Sequence, residues 1–430
     1  MGYEMLHEGD LLISHYNNIY KIGRMLGVGG QGESYEVECN QRQYCLKMFY
    51  PGVITAERVE HILKMIAENA PGDEFIWPLD IVKMGNSYGC VQKMISKEYR
   101  PWIDILRGKV DISLNILCKI GERLALALEK LHLRQYVLLL EYDYYFNPVN
   151  GEVLITCWEK IEKESDVVHI IGTPGLTAPE IIRNEANATI KSDLYVLAVY
   201  YFYVLTLSHP LEGKKEALYK CMPAEKQKEL YGDNPVFIFD KGNLSNRPVP
   251  GYHDNAIIYW KLYPEYLKKM FYRVFSNGCR DIGKRPSEKE WVDVFRRLQT
   301  DLRKCPRCGA EVFASYIGTV CWNCKMIVKK DFEDSNILID IIDQCPDVIN
   351  NRKKLKAYLM DYIPEERNIR NAICFSFDEN IPQEIANRGF VSKAQIQQYK
   401  NNLKNSYAIS ENVAEKVVML WIEALAKTEL

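Results

Sequence analysis

The hydrophobic pattern changes period along the chain and divides it into segments of different secondary structure. Residues 10–95 contain short apolar stretches rich in β-branched and aromatic residues and separated by glycine, which predicts strands; one helical run interrupts them near 54–69. From about 112 to 300, apolar residues recur every three or four positions, which predicts helices. Residues 331–430 are helical again, with periodic runs at 352–362, 366–375, 394–405 and 411–426. We therefore expect an α+β protein.

Length and composition indicate an ordinary globular protein with several domains. The 430 residues suffice for two or three domains that each bury a core. Hydrophobic residues make up 47% and the net charge is -2, so nothing in the charge favours a nucleic-acid or membrane surface. The apolar run Tyr195–Leu207 is too short to span a bilayer and predicts a buried helix. Because no secretory signal pattern is present, we expect a cytoplasmic protein with reduced thiols.

A glycine-rich turn carries the first candidate chemistry. Its glycines occupy the segment Gly-Val-Gly-Gly-Gln-Gly, at positions Gly27, Gly29, Gly30 and Gly32. Such a turn brings backbone amides close to phosphates, although glycines also serve ordinary tight turns. A predicted strand follows the turn, and Lys47 lies on the strand after it, where its ammonium group could pair with phosphate oxygens. The segment predicts a nucleotide-binding site.

The helical run near 54–69 should supply an acidic partner for Lys47. Glu57 and Glu60 lie one turn apart on this run. We favour Glu60, and either carboxylate could instead face solvent.

Four cysteines in two closely spaced pairs predict a metal site. Cys305 and Cys308 form one C-x₂-C pair, Cys321 and Cys324 form the other, and twelve residues separate the pairs. Four thiolates at this spacing can meet tetrahedrally, which is typical of structural zinc. Iron of the rubredoxin kind is the alternative, since the same ligands suit it. The neutral charge nearby favours a fold-stabilising or docking role over nucleic-acid binding.

Several motifs in chain order resemble those of protein kinases. The glycine turn followed by a strand, and Tyr44-Cys45-Leu46-Lys47, resemble the Gly-rich loop and the V-A-I-K strand. Later segments resemble the end of the activation segment, the A-P-E motif, the buried helix whose Asp braces the catalytic loop, and the late Arg that pairs with the A-P-E glutamate. These segments are Gly172-Thr173-Pro174, Ala178-Pro179-Glu180, Ser192-Asp193-Leu194-Tyr195 and Arg285-Pro286. The resemblance implies a bilobal protein-kinase-like fold.

Further segments resemble one bacterial group of atypical serine/threonine kinase-like proteins that carry a C-terminal zinc ribbon. The resemblance covers roughly residues 15–325, and its most specific segments are 75–80 (FIWPLD), 209–213 (HPLEG), 230–232 (LYG), 237–240 (FIFD) and 246–248 (NRP). It implies a kinase-like N-lobe at 1–96, a C-lobe at 97–300 and a zinc ribbon at 301–330, and the periodic runs that follow predict a helical domain at 331–430. Relatives in this group are typically genomic neighbours of a metal-dependent protein phosphatase and a von Willebrand factor A protein, which are the expected partners.

The chain departs from the kinase pattern at the catalytic positions. The catalytic Asp position holds Leu138, the metal-binding Asn position holds Asp143, and the D-F-G Asp position holds Cys157. Leucine cannot accept a proton, and cysteine is a poor ligand for Mg²⁺. A different register, with Asp143 as base and Glu159 as metal ligand, breaks the strand pattern around them.

These departures predict a pseudokinase, with no catalytic residues, that regulates or scaffolds partners in a bacterial phospho-signalling or stress system. ATP should bind weakly and with little dependence on Mg²⁺, through the glycine turn, Lys47 and Asp143. The alternative is a weakly active serine/threonine kinase.

Overall fold

Helices and strands together build the structure. A computed structural model describes residues 5–138, 143–156, 158–167, 172–314, 319–326, 328, 337–364, 366–389 and 391–425. The described residues divide into two compact units, one within 1–257 and 271–295 and the other within 258–270 and 296–430. None of the helices in the described ranges combines the length and apolar character that crossing a membrane requires.

The first unit begins with a six-stranded antiparallel sheet. Its spatial order is β1-β2-β3-β4-β6-β5, and a single helix, α1 (Ala56–Glu68), lies between β4 and β5 in the chain. The strands are β1 (Leu11–Ile13), β2 (Ile19–Gly29), β3 (Gly32–Cys39), β4 (Arg42–Phe49), β5 (Pro78–Met84) and β6 (Ser87–Lys93). The strands predicted within 10–95 are therefore present, as is the predicted helical run.

Side chains alternate between the two faces of this sheet, as the pleat requires. One face carries a buried apolar cluster that includes Tyr35, Val37, Leu46, Met48, Val82 and Val91. The other, which we call the lysine face, carries Cys45, Lys47 and Phe49 of β4. Lys47 is the register partner of Cys90, and Cys45 is the register partner of Gln92. The lysine face is therefore separate from the apolar cluster, and it carries Lys47 beside the buried Phe49.

Helix α1 is fixed by a cap at its start and by apolar residues on one side. The hydroxyl of Thr55 accepts a hydrogen bond from the Arg58 amide, which satisfies one of the unpaired donors at the helix N-terminus. Ile62 and Met65 are buried on the side that packs against β5. The Trp77 indole donates to the Met65 carbonyl at 2.8 Å. This packing sets which residues of α1 face the rest of the unit.

The rest of the first unit is mainly helical and surrounds one buried helix, α5 (Ile190–Thr206). A capping box of Thr189 and Ser192 starts α5, and nearly all its residues are buried, which confirms the buried helix predicted at Tyr195–Leu207. The Tyr201 hydroxyl donates to the Gly121 carbonyl at 2.6 Å. The other elements of the first unit are β7 (Arg100–Pro101), α2 (Ile103–Leu106), α3 (Leu114–Leu133), β8 (Tyr136–Leu138), β9 (Tyr144–Phe146), β10 (Val153–Ile155), β11 (Ile161–Lys163), α4 (Pro179–Ile182) and α6 (Ala224–Lys228). Three further helices cross the bounds of the two units: α7 (Asp254–Trp260), α8 (Glu265–Tyr272), which lies mostly in the second unit, and α9 (Glu288–Asp301).

The second unit contains a short hairpin near the cysteine pairs, followed by helices. The hairpin is β12 (Leu302–Lys304) with β13 (Glu311–Phe313), with the first cysteine pair in its loop and the second pair after β13. The helices are α10 (Ile337–Gln344), α11 (Arg352–Tyr362), α12 (Arg367–Asp378), α13 (Ile381–Arg388), α14 (Lys393–Tyr407) and α15 (Glu411–Leu425). Trp421 is fully buried in the helical core and donates to the Ser376 hydroxyl at 2.7 Å.

Candidate functional site

The glycine-rich turn lies at the β2–β3 hairpin, next to Lys47. Gly29 pairs with Gly32 across the hairpin, and Gly27 pairs with Ser34, which in turn pairs with Lys47. The four glycines differ in what surrounds them. A Cβ on Gly32 would collide with the backbone of Met48 and Phe49, so the fold itself requires this glycine.

The other three glycines of the turn have no such neighbours. A Cβ on Gly27 or Gly30 would meet nothing within 4 Å, and one on Gly29 would meet only the Gly32 carbonyl at 3.7 Å. None of the three has a positive φ among the described backbone angles. The space above their backbone is therefore open to a ligand, and the fold does not explain why glycine stands there.

The lysine of the predicted phosphate site is paired with Glu159. Lys47 Nζ contacts the Glu159 carboxylate, and the two side chains are 28% and 20% exposed. The sequence predicted Glu60 as the partner of Lys47, and the structure differs. Glu57 and Glu60 are both exposed on α1, and no ion pair joins either to Lys47 among the described residues. The reason is the rotation of α1 about its axis, which turns residues other than Glu57 and Glu60 toward the rest of the unit.

The inward positions of α1 carry a cation, Arg58, and a histidine, His61. Arg58 forms an ion pair with Glu162, and its guanidinium also donates to the Glu159 carbonyl. His61 Nδ1 lies 3.2 Å from the Glu162 carboxylate, and burial together with the nearby Arg58 charge lowers the pKa of His61 to about 4. Helix α1 therefore contacts the 158–163 segment through Arg58 and His61, and the charge pattern is the reverse of a lysine–helix-glutamate pair.

Trp158 adds a second contact to the lysine face. Its indole Nε1 donates to the Gln92 side-chain oxygen at 2.6 Å, and its ring packs edge-on against Phe49 at 6.3 Å. The side chain is almost fully buried. Trp158 and Glu159 together contact three residues of the lysine face: Phe49, Lys47 and Gln92. Sequence reasoning did not predict these contacts. The feature of the sequence that could have suggested them is that Trp158 and Glu159 directly follow Cys157.

The position predicted to lack a catalytic base is part of the core. Leu138 is 1% exposed and lies at the end of β8, where it is the register partner of Ile161. Cys157, predicted at the metal-ligand position, lies outside the described residues. Asp143 is exposed, and its backbone carbonyl accepts hydrogen bonds from the amide and the hydroxyl of Thr156. No ion pair involves the Asp143 carboxylate among the described residues.

A buried aspartate braces the backbone at Leu138, as the resemblance implied. Asp193 Oδ2 accepts from the Leu138 amide at 2.8 Å and contacts His132 Nε2 at 3.1 Å. The other ring nitrogen of His132 contacts the Glu288 carboxylate. Burial lowers the pKa of His132, but the hydrogen bonds to Asp193 and Glu288 outweigh it and raise the pKa from 6.5 to about 9. His132 is thus an imidazolium between two carboxylates at neutral pH.

The predicted pairing of Arg285 with Glu180 is also present. The two guanidinium ends donate to the two carboxylate oxygens at 2.8 and 2.7 Å. Arg285 also donates to the carbonyls of Gly278 and Lys191, and it lies over the Tyr195 ring at 5.1 Å. Its side chain is fully buried. Four of the five N–H donors of the guanidinium are therefore paired, which is what makes a buried charge tolerable.

The four cysteines of the second unit come together. Their sulfurs lie within 4.8 Å of one another, with 3.5 Å between Cys305 and Cys324 and 3.7 Å between Cys308 and Cys321. The two pairs lie in similar turns, in which the residue after the second cysteine donates its amide to the carbonyl of the first. Gly309 and Lys325 hold these positions, both with positive φ. The arrangement can hold a metal ion, as predicted.

The fold resembles those of many solved structures. No protein-family model and no curated protein matches the chain. The chain is similar in structure to the autoinhibited serine kinase domain of the giant muscle protein titin, with a TM-score of 0.49 and 13% sequence identity. The match covers 65% of this chain and 81% of the titin domain.

Proposed function

We propose that the chain is a pseudokinase that acts as a regulatory or scaffolding module. Two neighbouring observations carry the proposal. The position of the catalytic base is occupied by Leu138, which is buried, and Lys47 forms an ion pair with Glu159. A bilobal kinase-like fold is supported by the antiparallel sheet with its single helix, by the Asp193 brace and by the Arg285–Glu180 pair. We place the lobes at 1–96 and 97–300, the zinc ribbon at 301–330 and the helical domain at 331–430.

The chemistry of phosphoryl transfer supports this reading. Catalysis there depends on a group that orients the hydroxyl and on cations that neutralise the phosphates. Loss of one preorganised group costs on the order of 10²–10³ in rate. Leu138 supplies no acceptor at all. We propose a cytoplasmic role beside a phosphatase and a von Willebrand factor A protein in a bacterial signalling system.

We expect no transfer of phosphate from radiolabelled ATP to protein by the purified chain, with Mg²⁺ or Mn²⁺. The double variant Leu138→Asp/Cys157→Asp, which restores both acidic positions, is the positive comparison, and Lys47→Ala is the negative one. Autophosphorylation of the natural chain that disappears in Lys47→Ala would contradict the pseudokinase.

A weakly active serine/threonine kinase is the second candidate. Asp143 favours it, because its carboxylate is exposed beside a cavity and carries no ion pair among the described residues. In that case Asp143 would serve as the base, and Asp143→Asn would remove the transfer activity that the natural chain shows.

Nucleotide binding should be limited by Glu159. Phosphates must compete with its carboxylate for Lys47, so Glu159→Gln should strengthen ATP binding about tenfold, which corresponds to about 1.4 kcal/mol. Calorimetric titration measures this directly. Glu36→Gln is the matched control, because Glu36 pairs with Arg24 on the same sheet and leaves Lys47 untouched. Equal affinities of the two variants would show that Glu159 does not guard the site.

ATP binding to the natural chain should depend little on Mg²⁺. We expect ATP at about ten times its Kd to stabilise the fold by roughly 1.4 kcal/mol, with or without the ion. A melting shift seen only with Mg²⁺ would mean that metal ligands remain and would favour the kinase.

The cysteine cluster should hold one zinc ion per chain. Four thiolates suit zinc, and binding would stabilise the hairpin that carries them. Metal analysis should return about one zinc per natural chain and much less for Cys308→Ser, whereas Cys221→Ser, at an exposed cysteine outside the cluster, should keep its zinc. Iron in place of zinc would indicate a rubredoxin-like site, and neither metal in protein purified without chelators would refute the assignment.

A further inference from the structure

The cysteine cluster carries an exposed tryptophan on its surface. Trp322 lies between the two cysteines of the second pair and is 47% exposed, whereas the other six tryptophans of the chain are buried. Its indole N–H donates to the Glu311 carbonyl at 2.9 Å, which holds the ring in one orientation and satisfies its polar group. The exposed part of the ring therefore offers a fixed apolar surface.

Two further apolar residues are exposed in the same short segment. Val320 and Met326 are exposed at 49% and 39%. The Cys321 amide donates to the Met326 carbonyl at 2.7 Å, so Met326 lies beside the residue that links Val320 to Trp322. Single exposed apolar residues are common, but a group of three marks an interaction site, and tryptophan and methionine are enriched in protein–protein interfaces. We call Val320, Trp322 and Met326 the tryptophan patch.

Two exposed cations accompany the tryptophan patch. Lys325 Nζ donates to the Trp322 carbonyl at 2.8 Å. Arg307 is next to Cys308, whose sulfur lies 3.7 Å from the sulfur of Cys321. Both side chains are exposed, and no ion pair joins either of them to an acidic residue in the part of the chain that the structure describes. Their charges are therefore available to an acidic partner.

The charge balance favours a short acidic segment over a nucleic acid. Within 302–328 the described residues include one acid, Glu311, and four cations, which are Arg303, Lys304, Arg307 and Lys325. Zinc bound by four thiolates carries a net negative charge, which would offset part of this excess. A nucleic acid requires a row of cations along its phosphates, whereas a few cations beside an apolar patch suit a peptide whose acidic residues flank an apolar one.

We infer that the tryptophan patch docks a polypeptide segment of a partner protein, in which an apolar side chain packs on Trp322 and flanking carboxylates pair with Arg307 and Lys325. The apolar contact supplies most of the affinity, because tryptophan is among the residues that dominate binding energies at interfaces. The exposed ion pairs orient the segment and speed its association. The inference gives the scaffolding module a binding surface, but it does not rest on the absence of kinase activity.

The test is selection of random displayed peptides on the purified full chain, followed by fluorescence anisotropy with the selected peptide in labelled, synthetic form. The selected sequences should share an apolar residue flanked by Asp or Glu. Trp322→Ala should weaken binding of the synthetic peptide at least about tenfold, which is the size of a dominant interface contact. Arg307→Glu, which reverses one charge, should weaken it about tenfold. Leu218→Ala, at an exposed leucine of the first unit, should leave the affinity unchanged.

Metal analysis of each variant shows whether the cysteine cluster is intact. If Trp322→Ala loses metal, Arg307→Glu decides the outcome, because Arg307 is exposed. Selected peptides without a shared motif or without acidic residues would overturn the inference. So would an unchanged affinity in Arg307→Glu or in a metal-loaded Trp322→Ala, or tighter binding of a single-stranded oligonucleotide than of the selected peptide. Phosphate transfer by the natural chain would refute the pseudokinase and leave these results unchanged.

Discussion

Arg285→Ala should destabilise the first unit by about 3–5 kcal/mol, because it leaves the Glu180 carboxylate buried without its counter-charge. The natural guanidinium makes two hydrogen bonds to Glu180 and two to backbone carbonyls, and the truncation removes all four. Urea unfolding followed by tryptophan fluorescence measures the change in the free energy of unfolding.

The matched control is Arg273→Ala. Arg273 forms a similar ion pair with Glu290, but both side chains are about 40% exposed, so its loss should cost no more than about 1 kcal/mol. The double variant Glu180→Ala/Arg285→Ala should be more stable than the sum of the single changes predicts, since neither charge is then left alone. Equal losses in the free energy of unfolding for Arg285→Ala and Arg273→Ala would show that the buried ion pair contributes no more to stability than the exposed one.

The stability of the first unit should also fall as the pH rises from about 6.5 to about 9. The folded pKa of His132 is raised above its unfolded value, so its contribution is complete below pH 6.5 and is lost as the imidazolium deprotonates. A pKa of about 9 against 6.5 corresponds to about 3 kcal/mol in total. Unfolding at a series of pH values gives the profile directly.

His132→Gln should remove this part of the pH dependence while keeping one donor for Asp193. His15→Gln, at an exposed histidine of the same unit, should keep the profile of the natural chain. A profile in His132→Gln that still falls by a similar amount between pH 6.5 and 9 would place the titrating group elsewhere.

Sequence reasoning succeeded where a short motif fixes the geometry by itself. The two C-x₂-C pairs each close a tight turn, so the four sulfurs meet once the two turns lie side by side. The Asp193 and Arg285–Glu180 contacts followed from motifs in the right chain order. In these last two cases the charged groups are buried, so that packing admits few alternatives.

Sequence reasoning failed where a contact depends on the rotation of a helix about its axis. A helix turns 100° per residue, so whether Glu60 or Arg58 faces the sheet depends on how Ile62 and Met65 dock, and the polar residues alone do not reveal this. Glu159 lies 112 positions from Lys47 in the chain, and no spacing rule connects them.

The crowding at Gly32 changes how alanine variants of the glycine turn should be understood. Gly32→Ala forces the β4 backbone away from β3, so a loss of nucleotide affinity in that variant reports damage to the sheet and not a missing phosphate contact. Gly27→Ala and Gly30→Ala add a methyl group to open space and leave the hairpin as it is. A methyl group at Gly29 meets only the Gly32 carbonyl at an ordinary contact distance of 3.7 Å. Gly27, Gly29 and Gly30 therefore separate recognition of a ligand from folding of the protein, and Gly32 does not, although all four glycines belong to one motif.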